Sequence, residues 1–220
     1  MPRDVFSGTL LIAGSLLGVL VMILHPTAHG MLSPETAHRV ARLGIMVHGV
    51  ALAAVPMLFL GLIGVSRRLG PSDLTTAALV VWGFGGAAVM SAAVASGFVA
   101  PPIIQHILSE GESSDVYHAL LGYTGLVNQG FAKVNVVASA VAVVLWSAAI
   151  FRSRRFAPAT GVAGVVVGAG ILLGFFSGHL RLDVHGFGIV TFVQSAWLIW
   201  LGILLCRDGG TGVEPAPTSP

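Results

Sequence analysis

Six apolar runs divide the chain, at positions 5–24, 43–65, 75–104, 120–150, 157–176 and 187–206. About 30 Å of hydrocarbon takes roughly 20 helical residues to cross, and every run meets that length. None alternates apolar and polar residues with the period of two that a barrel strand needs. The pattern predicts an all-α integral membrane protein, with a bundle of six transmembrane helices forming one domain over residues 1–206. Residues 207–220 are rich in Gly, Pro, Thr and Ser and are expected to form a disordered tail. The first run is longer than the roughly 7–15 apolar residues of a secretory leader, and Asp4 interrupts the basic start a leader has, so it reads as a retained helix.

The polar residues between the runs set the orientation. Arg67 and Arg68 separate the second and third runs, and Arg152, Arg154 and Arg155 separate the fourth and fifth. Arg3 precedes the first run and Arg207 follows the sixth. An even number of spans places all of these on one side, which the positive-inside rule makes cytoplasmic together with both termini. Glu110, Glu112 and Asp115 lie between the third and fourth runs and fall on the opposite side. Ser33-Pro34-Glu35 and Ser114-Asp115 are helix-start signals, so the second and fourth helices are expected to begin a polar turn or two outside the membrane. Glycines at 161, 164, 168, 170, 174 and 178 give the fifth helix small-xxx-small spacing and predict a central position in the bundle.

Composition agrees with lipid as the main surroundings. The chain of 220 residues is 55% hydrophobic and only 9% charged, against roughly 25% charged in a soluble domain. A net charge of +2, carried mostly by loop arginines, argues against nucleic acid as a partner. The single cysteine, Cys206, excludes an internal disulfide and a thiolate metal cluster. High Ala, Gly and Val content points to a bacterial inner membrane, with the histidine side periplasmic or extracellular.

All eight histidines fall in the half of the chain's topology opposite the arginine loops. His25, His29, His38 and His48 belong to the first outer hairpin, His106 and His118 to the second, and His179 and His185 to the third. Imidazole is the commonest biological metal ligand, for copper, zinc and haem iron alike. His25, His29, His48, His118, His179 and His185 form the pool from which a site for Cu, Zn or haem would draw. His25 and His29 are four apart, although Pro26 between them favours an end to the helix. Asp183 is placed either to orient an imidazole or to cap the sixth helix. Taken singly, each histidine also suits the headgroup layer, where amphipathic side chains gather.

A second signal lies inside the fourth run. Lys133 is the only lysine in the protein, and His118, Gly122, Gly125, Gln129 and Lys133 share one helical face. Asn135 on that helix and Gln194 on the sixth add amides at comparable depth, and Arg42 and Arg181 stand near the histidines against the charge rule. A lysine within the membrane lines a polar cavity, pairs, or snorkels to the interface. The leading expectation is a membrane metalloprotein that handles its metal or uses it in redox or hydrolytic chemistry. The alternatives are a transporter of a small anionic or polar solute built around Lys133, and a non-catalytic subunit of a homo-oligomer or larger membrane complex. The chain has no phosphate loop, dinucleotide fingerprint or His-Glu-x-x-His motif.

Overall fold

A computed structural model describes residues 3–25, 34–110 and 115–210. Its helices are α1 (Arg3–Leu24), α2 (Pro34–Leu69), α3 (Asp73–Val94), α4 (Ala100–Glu110), α5 (Asp115–Ser153), α6 (Pro158–Phe176) and α7 (Val184–Gly210). A single π-helical turn, Ala95–Val99, joins α3 to α4 without a break in the chain's course. Six helical segments are long and apolar enough to cross a membrane, with α3, the π turn and α4 counting as one. The chain is a six-span integral membrane protein. The helix of the sixth span runs on to Gly210, past the expected end at 206; residues 211–220 lie outside those described.

Local chemistry sets the helix ends. Gly70 has φ +92 and closes α2, and the Ser72 hydroxyl then accepts the Thr75 amide at 3.2 Å while Thr75 Oγ1 accepts the Ser72 amide at 3.1 Å. That reciprocal pair satisfies two amides that the start of α3 leaves open. Pro158 occupies the first turn of α6, where its missing N–H costs nothing. At the other end of α6, Gly178 has φ +75 and the Leu180 amide donates to the Gly174 carbonyl at 2.8 Å. Asp183 caps α7, its Oδ1 accepting the Gly186 amide at 2.8 Å.

The bundle is organised around α5, which packs on α3 along one side and α6 along the other, while α1 packs between α2 and α7. The glycine-rich α6 is therefore peripheral, contrary to the expectation from its sequence. Its glycines serve mainly one neighbour: a Cβ on Gly168 would lie 2.7 Å from the Ala140 carbonyl of α5, one on Gly164 would meet Ser147 of α5 and also Trp197 of α7 at 2.8 Å, and Gly170 faces open space. Close approach along one seam is enough to account for the spacing.

The tightest packing lies toward the arginine end. Leu11, Leu62, Val65, Trp146, Ile150, Leu201 and Leu205 are all fully or almost fully buried there. Two buried indoles are satisfied within this core, Trp146 Nε1 donating to Ser66 Oγ at 2.9 Å and Trp197 Nε1 to the Thr160 carbonyl at 3.0 Å.

Helix lengths are uneven, and this positions everything else. Climbing roughly 20 residues, about 30 Å, from the arginine end reaches Ile23 on α1, His48 on α2, Ala93 on α3, Lys133 on α5, Gly178 beyond α6 and Phe187 on α7. Beyond that level α2 continues for about 20 Å and α5 for about 27 Å. The helix α4 packs against both, so the three form an extension beyond the level at which α6 ends. The expected starts of these helices at Pro34 and Asp115 match. Neither helix contains a break between its polar start and its apolar run, so both continue as single rods.

Candidate functional site

A cavity of about 140 Å³ lies at the level where the extension meets the spanning bundle. It forms between the end of α1, the middle of α2 and α5, the π turn, and the turn into α7. His25 and His48 both line it, with ring centroids 5.2 Å apart and planes inclined at 72°. They come from different helices, so the fold brings them together across a sequence gap of more than twenty residues.

His48 is 9% exposed, and its Nδ1 lies 2.7 Å from the Gly44 carbonyl one turn earlier on α2. A carbonyl oxygen only accepts, so Nδ1 carries a proton, and in the neutral ring the lone pair stands on Nε2. The ring is also fixed from behind. Gly97, in the π turn, packs so closely that an added Cβ would lie 2.8 Å from His48 Cγ and closer still to its Cβ. A π turn displaces the helix register locally, and such turns recur at functional sites. Here it delivers a residue without a side chain to the one place where the imidazole needs room.

Around the histidines the cavity presents Ser96, Asn128, Gln129 and Asp183, together with the thioether-bearing Met22. One Asp183 oxygen is engaged by the α7 cap, as above. Among the described residues, no group of three or more His, Cys, Asp or Glu side chains is placed to hold a metal ion. The ligating capacity visible in the structure is the histidine pair and its softer and neutral neighbours.

The remaining sequence candidates lie elsewhere. His118 and His185 are exposed, and His179 is exposed with Nδ1 2.9 Å from Ser177 Oγ. His106 stacks on Tyr117 near the far end of the extension, centroids 3.8 Å apart. His29 lies outside the described residues. Arg42 and Arg181 are exposed. Gln194 Nε2 donates to Ser139 Oγ at 3.0 Å, bridging α7 to α5 away from the cavity, and Asn135 is half-buried. Lys133 is exposed in a separate apolar groove with Val81, Val137 and Phe175. Phe175 is at the end of α6, so this lysine lies level with the histidine end of that helix.

Sequence reasoning does not single out Met22, Ser96 or Gly97. Met22 precedes His25 by three positions, a spacing that puts both on one face of a helix continued through them, and that signal was available. Nothing in the residues 95–99 announces a π turn.

Comparison of the chain with protein-family models, with curated proteins and with solved structures finds no match, so the reading of this site rests on its own geometry.

Proposed function

We propose that the protein binds a transition-metal ion, copper or zinc, at His25 and His48 near the histidine-end boundary of the membrane, and handles that ion there. The observation that carries this is the pair itself: two imidazoles from separate helices meet on one cavity wall, and one has its tautomer set by a backbone carbonyl. Metal-ligating histidines characteristically donate their second ring N–H to a carbonyl or carboxylate, which orients the ring and raises its basicity. His48 is buried, and a polar ring held out of water is costly unless its nitrogens are bound.

The cavity's size favours an ion with a few waters over a macrocycle. Pockets for drug-sized ligands run from about 300 Å³ upward, and haem is at least that large. The bound ion would be held by the two imidazoles, with Asn128, Gln129 and Ser96 offering oxygen atoms to it or to its waters.

The test is elemental analysis of detergent-purified protein that carries no histidine tag. Stoichiometric copper or zinc is expected, falling to background in His25→Ala and in His48→Ala. Protein that is metal-free and takes up neither added ion would overturn the reading.

A further inference from the structure

Resting on that reading, we propose that the Met22 thioether is a third donor at the histidine pair and makes the site selective for monovalent copper. Met22 and His25 stand three residues apart at the end of α1, and both line the cavity that His48 enters from α2. The thioether does not turn away into lipid: its terminal methyl reaches across to α7, where a Cβ on Gly188 would lie 3.7 Å from Met22 Cε.

The donor set then decides the metal. Zinc is held by four N, O or S ligands, most often His, Cys and carboxylates. Among the described residues no third His, Cys, Asp or Glu joins the pair. The carboxylate on the cavity wall, Asp183, has its Oδ1 engaged by the Gly186 amide as the cap of α7 and is not grouped with the pair. A neutral thioether adds little to zinc, which is borderline, but soft sulfur ligands select Cu(I), and imidazole completes such a site without added charge. A flexible thioether beside the oriented His48 ring and its His25 neighbour also suits an ion that tolerates low coordination numbers.

The experiment compares Cu(I), added anaerobically, with Zn(II) on the full-length wild-type protein and on Met22→Leu, a change that keeps volume and apolar character. The wild type is expected to bind Cu(I) with a sulfur neighbour visible in X-ray absorption at the copper edge. Met22→Leu is expected to lose that sulfur signal and at least about tenfold in Cu(I) affinity, with Zn(II) affinity nearly unchanged. Cu(I) binding with no sulfur neighbour, or with equal affinity in both proteins, overturns the role of Met22 and leaves the histidine site standing. Failure of both metals to bind the wild type overturns the histidine site itself, and this inference with it.

Discussion

The fit of His48 against the π turn makes Gly97→Ala the most informative single substitution. The added methyl would lie 2.8 Å from His48 Cγ and 3.3 Å from Nδ1. Carbon atoms in packed interiors sit at about 3.5–4.0 Å, so the ring or the turn must move by something on the order of 1 Å. Overpacking of this kind costs about 1–3 kcal/mol. Displacing the ring also threatens the 2.7 Å hydrogen bond to the Gly44 carbonyl, worth about 1 kcal/mol. Alanine's better helix propensity returns up to about 1 kcal/mol, so the expected net loss is about 1–3 kcal/mol. Gly122→Ala on α5 is the control, because a Cβ there meets nothing within 4 Å and only the propensity gain applies. The two variants should therefore differ by about 2–4 kcal/mol in reversible SDS unfolding followed by tryptophan fluorescence. Gly97→Ala should also lower metal uptake, which Gly122→Ala leaves alone. If Gly97→Ala proves as stable as Gly122→Ala, with uptake intact, the π turn does not hold His48.

Two further substitutions probe other parts of the bundle. Trp146→Phe removes the indole donor to Ser66 Oγ in a fully buried position and should cost about 1–3 kcal/mol; adding Ser66→Ala should then cost less than it does alone, as a double-mutant cycle will show. Lys133→Leu should change stability by no more than about 0.5 kcal/mol and leave metal uptake as it was, since Lys133 is exposed in a groove apart from the cavity. Loss of uptake in that variant would instead bring Lys133 into the site.

The spans were legible because a membrane imposes a length and a composition at once: 20 apolar residues in a row admit one structure. Depth was harder to read. His48 and Lys133 stand about equally far from the arginine end, yet from the apolar run alone Lys133 looks more deeply placed than His48. That common height emerges only when each helix is counted from its arginine end, because the 39-residue α5 is far longer than a span needs. Convergence of His25 with His48 was legible as membership in one pool and no further, since pairing depends on how α1 and α2 rotate about their axes. Met22 passed unnoticed because a methionine within an apolar helix is ordinary core material. The glycine pattern on α6 misled because small residues record a close neighbour without recording how many neighbours there are.

The uneven helix ends also bear on which bilayer the protein matches. At 19 residues, α6 reaches only about 28 Å, while α2 and α5 have length to spare. A long helix tolerates a thicker membrane by sinking more of itself, but a short one must thin the bilayer around it or pull its flanks inward. Sensitivity to lipid chain length is thus concentrated on the flank where α6 rests against α5. In a bilayer a few ångströms thicker than α6, the histidine pair would be submerged beneath the headgroups, and entry of an ion from water would slow. Acyl-chain length then becomes a control on the site that requires no change in any residue lining it.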